Sequence, residues 1–166
     1  GKPETGTTAI AALGARNTRF SFINVISPES LLGLSTSEKL TRISQAFETA
    51  ANVALGCIVL DKIENILEFN ANRGTVNSQI LHELSVYLNR DPKLIPQQRE
   101  SQLLIIITTS SSEVLRMLNP SGFDAREVLK SPTKREVMRV FTDYNIFATP
   151  EEAALVAKHM PSLGIK

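Results

Sequence analysis

The sequence predicts an α/β fold built on a mostly parallel sheet flanked by helices. Three apolar runs, at 20–26, 57–60 and 103–107, are rich in Ile, Val, Leu and Phe and do not alternate with polar residues. Such runs suit strands buried on both faces of a parallel sheet. Segments with helical periodicity lie between and after them, and alternating strands and helices imply an α/β layer architecture.

Each helix has its own stripe. In 38–51, Leu40, Ile43, Phe47, Ala50 and Ala51 share one face. In 76–89, Ile80, Leu81, Leu84 and Leu88 do the same. Val137, Phe141 and Tyr144 mark a third stripe, and Ala153, Val156, Ala157 and Met160 a fourth. Helix starts are signalled by capping-box spacing at Ser35 and Glu38, Ser110 and Glu113, Thr133 and Glu136, and in Thr149-Pro150-Glu151-Glu152. Pro150 suits a first helical position. Residues 127–129 read as a weaker strand at a sheet edge. The polar stretches 90–102, with Pro92 and Pro96, and 70–77, centred on Gly74, read as loops.

Composition narrows the function classes. The chain has 166 residues, 42% hydrophobic and 21% charged, with net charge +1. That balance gives no field to steer it to nucleic acid or to a membrane surface. Trp is absent and aromatics are 5% of the chain, which leaves little for base stacking. Cys57 is the sole cysteine, so no internal disulfide forms and a reducing compartment fits. Cys57 reads as a small buried hydrophobe. No apolar run approaches the roughly 20 residues of a membrane span. The chain opens on Gly1 rather than Met and reads as an excerpt of a longer one.

The first eight residues are Gly1-Lys2-Pro3-Glu4-Thr5-Gly6-Thr7-Thr8. Against the phosphate-loop pattern G-x-x-x-x-G-K-[ST], Gly1, Gly6 and Thr8 match, and Thr7 stands where lysine belongs. The glycines let backbone amides turn toward phosphate oxygens, and a helix over 7–17 points its positive end at them. Thr8 offers a hydroxyl to magnesium. A charge-assisted bond is worth about 1.5–3 kcal/mol. Its loss at Thr7 therefore weakens nucleotide binding roughly 10- to 100-fold. Lys2 is on the wrong side of the loop to replace it. A flexible terminus is the alternative reading of these residues.

Cys57-Ile58-Val59-Leu60-Asp61 is an apolar strand tipped with an acid. At the carboxyl end of a strand, where ligands bind in open α/β sheets, Asp61 is placed to hold magnesium. A helix N-cap is its alternative role. Lys62 occupies the place of the second acid that orients water in an active ATPase. His82 reads as a surface residue, and His159 as a cation at a helix end.

Taken together these segments resemble the AAA+ family, above all the second ATPase domain of the vesicle-fusing ATPases (N-ethylmaleimide-sensitive factors). Residues 20–29, Phe-Ser-Phe-Ile-Asn-Val-Ile-Ser-Pro-Glu, resemble that domain's strand ending in Ser-Pro. Residues 33–39, Gly-Leu-Ser-Thr-Ser-Glu-Lys, resemble its Gly-Phe-Ser-Glu-x-x-Lys segment. Residues 57–64 resemble its Walker B strand followed by Ile-Glu. Residues 104–110 resemble its sensor strand ending in Thr-Thr-Ser, and residues 164–166 the Gly-Ile-Lys that opens its lid.

The resemblance implies one AAA+ large subdomain over 1–166. It comprises a degenerate phosphate loop at 1–8, a Walker B-like strand at 57–64, a sensor-like strand at 103–110 and the start of a lid at 164–166. The first strand and the helical lid are expected to be missing from this excerpt, which predicts poor solubility from two unpaired sheet edges. It further implies ATP held by Gly1, Pro3, Glu4, Thr5, Gly6, Thr7, Thr8 and Ala9, Mg2+ held by Thr8 and Asp61, and Thr108 as the γ-phosphate sensor. A polar strand end is Thr108's plain alternative. The family's role is a cytoplasmic homohexamer, peripheral to membranes at most, that disassembles SNARE complexes through an adaptor protein and binds no nucleic acid. In that role the second domain binds ATP tightly and hydrolyses it poorly.

This sequence departs from the family pattern at Thr7, at Lys62 and at Thr75, where the family carries an arginine and Arg73 is displaced. Gly122 stands where other modules carry a finger arginine, so no finger transfers, and Arg126 is the remaining candidate. Two functions stay open: an ATP-dependent assembly domain with weak or absent turnover, and a pseudo-ATPase that only packs against its neighbours.

Overall fold

The computed structural model describes residues 6–17, 19–89, 102–118, 123–130, 133–144, 146–147 and 149–159. The chain divides into two compact units, Thr8–Arg126 and the remainder, Gly1–Thr7 with Glu127–Lys166.

The first unit is an α/β layer structure. Strands β1 (Phe22–Ile26), β2 (Leu55–Leu60) and β3 (Gln102–Ile107) form a parallel sheet in the order β1-β2-β3. The register sets Ile26 beside Leu60 and Leu60 beside Ile107, so the three strands end level. All three coincide with the apolar runs to within two residues at either end. β2 is central and buried from Gly56 to Leu60, which is why its sequence shows no alternation.

One sheet face carries most of the core. Helices α2 (Thr36–Ala51) and α4 (Ser78–Leu88) cover Ile26, Ile58 and Leu60 with Ile43, Phe47, Ile80 and Leu84. Each such side chain contributes about 1.5–3 kcal/mol by leaving water. Phe47 stacks on Tyr87 of α4, ring centroids 4.2 Å apart. Gly56 lies so close to the end of α2 that a Cβ there would stand 2.8 Å from the Ala50 carbonyl oxygen. The opposite face packs Cys57 and Val59 under Ala11 and Ala15 of α1 (Thr7–Asn17). Burial raises the Cys57 thiol pKa, in keeping with a structural hydrophobe.

The expected caps at Ser35 and Thr133 form complete boxes with Glu38 and Glu136. At Thr149, Oγ1 accepts from Glu152 N, and Pro150 opens α7 (Pro150–His159). Asn77 caps α4. Residues 70–77 form a turn in which Gly74 adopts φ 62°, as read.

Two expectations are corrected. Residues 127–129 form no strand: Val128 is 62% exposed, and the sheet of the described residues offers it no partner. Ser110 does not cap the helix α5 (Ser112–Met117). Its hydroxyl goes to Glu64 instead, and Ser111 takes the cap. Residues 90–101, Met160 and residues 164–166 lie outside the described residues.

The second unit contributes α6 (Lys134–Asp143) and α7. Phe141 packs edge-on to Phe147 at 4.9 Å, while Tyr144 is exposed. No helix among the described residues is long and apolar enough to cross a membrane.

Candidate functional site

The carboxyl ends of β2 and β3 carry the two buried polar residues of the described core, Asp61 and Thr108. Main-chain bonds extend the sheet just past its last ladder rung. Asp61 N donates to Ile26 O, Thr108 N to Leu60 O, and Ile63 N to Thr108 O, all at 2.9–3.0 Å. The two side chains are thereby held face to face before any side-chain bond is counted. Thr108 Oγ1 donates to Asp61 Oδ1 at 2.6 Å. It also accepts from Lys62 N at 2.8 Å.

A third element reaches the same oxygen. Thr8, exposed in the first turn of α1, donates its Oγ1 to Asp61 Oδ1 at 2.7 Å. Among the described residues no donor reaches Asp61 Oδ2. A buried carboxylate with one oxygen accepting from two hydroxyls offers the oxygen donors that a small hard cation takes. Magnesium keeps several waters and takes only one or two carboxylates. Among the described residues no group of three or more His, Cys, Asp or Glu converges.

The cap alternative for Asp61 fails. The short helix α3 (Ile63–Ile66) has Lys62 at its N-cap, without a side-chain cap bond. Lys62 is left-handed, φ 51° and ψ 58°, a conformation that costs a non-glycine residue about 1–3 kcal/mol and collects at functional sites. Its Nζ pairs with Glu29 Oε1 at 3.3 Å.

Glu64, which closes the 57–64 segment, braces this corner. Its Oε1 accepts from Ser110 N at 3.1 Å and Ser110 Oγ at 2.6 Å, and its Oε2 from Thr109 Oγ1 at 2.8 Å. Burial raises its pKa, but the hydroxyls, the Ser110 amide and its own backbone bond together outweigh that and leave it lowered. The α3 turn is thus tied to the loop that carries Thr108. The only available signal was the run Thr108-Thr109-Ser110-Ser111-Ser112, which is rich in small hydroxyls.

Of the other predicted residues, Gly1, Pro3, Glu4 and Thr5 lie outside the described set. Gly6 adopts φ 81° immediately before α1, and Thr7 opens that helix. Ala9 is exposed on it. Arg73 and Thr75 are exposed on the 70–77 turn, Gly122 lies outside the described residues, and Arg126 is exposed. His82 is exposed on α4, as read. A groove of about 520 Å³ runs between β1 and α2, lined by Phe22, Asn24, Leu34 and Arg42 among others, and shares no residue with the Asp61 cluster.

Comparison with known proteins gives a concordant result. The model of the "ATPase family associated with various cellular activities (AAA)" matches residues 1–130. The chain is 34% identical over 116 residues to a vesicle-fusing ATPase of Dictyostelium discoideum, covering 70% of this chain and 15% of that protein. It is 38% identical over 119 residues to the vesicular-fusion protein SEC18 of Candida albicans, covering 72% and 14%. A vesicle-fusing ATPase of Arabidopsis thaliana is 30% identical over 164 residues, 97% of this chain and 21% of that protein. The chain thus spans between 14% and 21% of the length of these relatives.

Proposed function

The chain belongs to the AAA family of ATPases, and on that premise we propose that Thr8 and Asp61 hold the magnesium ion of a bound ATP, with Thr108 beside its terminal phosphate. The observation that carries this is the meeting of the Thr8 and Thr108 hydroxyls on one oxygen of Asp61. Buried Asp61 needs a hydrogen-bond donor and Thr108 already supplies one, so packing alone does not call for Thr8 as well. A shared cation supplies the reason. When bound, the ion would neutralise charge on the phosphate oxygens. Thr8 would offer it a hydroxyl oxygen, and Asp61 would hold it directly or through water. The Lys62 amide would keep the Thr108 hydroxyl oriented.

Residues Gly1, Pro3, Glu4, Thr5, Gly6, Thr7 and Ala9 are assigned to the phosphate cradle on resemblance to the phosphate-loop pattern. The relatives' names, vesicle-fusing ATPase and vesicular-fusion protein, support a place in vesicle fusion for the protein that carries this chain. In that role it would act in the cytoplasm as a homohexamer and disassemble SNARE complexes through an adaptor. This domain would bind ATP to hold the ring together and turn it over weakly or not at all. Lys62 favours that division of labour, because an ammonium cannot accept a proton from attacking water.

A second reading follows from Thr7. Without the loop lysine, the domain would be a pseudo-ATPase that packs against neighbouring subunits whether or not nucleotide is present. Light scattering on the full-length protein, with and without Mg2+-ATP, separates the two. ATP-dependent hexamers with slow phosphate release support the first reading. Hexamers that form equally well in nucleotide-free buffer support the second.

A further inference from the structure

Lys62 sits where an acid would serve hydrolysis, and Thr7 where a lysine would bind phosphate. The two departures are complementary in charge. Lys62 follows Asp61 directly, and its amide donates to Thr108 Oγ1 at 2.8 Å. Its main chain is therefore fixed within the cluster around Asp61. Its side chain is not. That side chain is 48% exposed and makes its ion pair with Glu29, 67% exposed, at 3.3 Å. Exposed pairs of this kind are held weakly.

Glu29 has partners besides the lysine. Its carboxyl lies below the usual range first through its own backbone hydrogen bond, then through Ser27, and only third through Lys62. The lysine can leave without stranding a buried charge. Its stem is flexible and its head binds phosphate as a point charge. Such a charge can come from a different element than the phosphate loop, provided it reaches the same oxygens.

We infer that Lys62 replaces the missing phosphate-loop lysine: on binding of a nucleoside triphosphate its ammonium leaves Glu29 and pairs with the terminal phosphate. The inference rests on the nucleotide site proposed above. It makes the domain a triphosphate holder, with the position that would otherwise promote hydrolysis converted to one that stabilises the anion.

The test is the affinity of the full-length protein for Mg2+-ATP and Mg2+-ADP, measured by titration calorimetry. The forms compared are wild type, Lys62→Met, Glu29→Gln and the double variant Thr7→Lys/Lys62→Met. Lys62→Met is expected to weaken ATP roughly 10-fold or more, the effect of one charge-assisted bond, and to change ADP by less than about 2-fold. Glu29→Gln frees the lysine and is expected to tighten ATP. Thr7→Lys is expected to restore what Lys62→Met loses. Wild-type ATP affinity in Lys62→Met, or equal loss for ATP and ADP, overturns the inference and leaves the nucleotide site standing. A wild-type protein that binds no ATP overturns both.

Discussion

The Thr8 hydroxyl donates to Asp61 Oδ1 at 2.7 Å, joining the first turn of α1 to the end of β2 across 53 positions of sequence. Thr108 meets the same oxygen from β3 at 2.6 Å. The corner is therefore assembled from three elements that the parallel sheet and its first helix bring together. Its stability and the ligand chemistry proposed for it share the same atoms.

Removing the Thr108 hydroxyl tests the structural half of that statement. Thr108→Val keeps the shape, but it takes a donor from buried Asp61 and the acceptor from the Lys62 amide. A buried polar group left unsatisfied costs about 1–3 kcal/mol. Urea unfolding is expected to show a loss in that range. A loss below roughly 0.5 kcal/mol would mean the two bonds do not matter to the fold.

Glycine-to-alanine changes are expected to have opposite signs at two positions. At Gly56 a Cβ meets the Ala50 carbonyl oxygen at 2.8 Å, a backbone atom that cannot swing away. Overpacking there is expected to destabilise by about 1–3 kcal/mol. At Gly14, inside α1, a Cβ meets nothing within 4 Å, and alanine is expected to gain about 0.5–1 kcal/mol from helix propensity. Thermal melts of the two variants should bracket wild type. A Gly56→Ala protein as stable as wild type would refute the close approach of β2 and α2.

The Glu64 brace predicts a pH signature. Its carboxyl is held below its ordinary value of 4.5, so its ionised form stabilises the fold. That contribution is complete above the ordinary value and is lost as pH falls below it, through the lowered value. Glu64→Gln is therefore expected to be less stable than wild type at neutral pH, with the gap narrowing on acidification. Glu64 is half-buried and its partners are neutral hydroxyls and an amide, so the gap should be modest. A gap that widens toward acid pH would reverse the sign and discard the brace.

Much of this architecture is legible in the residues. The buried stripe of α2, Ile43, Phe47 and Ala50, follows directly from 3.6-residue periodicity. β2 is readable because a strand covered on both faces has no polar alternation to interrupt it. Asp61 is readable as the acid that tips an apolar run, and Thr108 from its segment's likeness to a sensor strand; that a parallel register sets the two ends side by side is seen only in the fold. Glu64 is not readable. Its role depends on α3 being a single turn, and on the loop after β3 folding back over it. Nor is the left-handed Lys62, since lysine gives no local reason for positive φ. The error at 127–129 has the same origin. Three residues of strand composition do not make a strand without a neighbour to bond.

The most direct test of the magnesium–nucleotide site is the Mg2+ dependence of ATP affinity in wild type and in Asp61→Asn, with melting curves to confirm that both are folded. Wild type is expected to lose roughly 10-fold or more in affinity when Mg2+ is chelated. Asp61→Asn is expected to bind more weakly and to respond little to chelation. An Asp61→Asn protein with the same Mg2+ dependence as wild type would contradict the account, because the ion would then be held elsewhere.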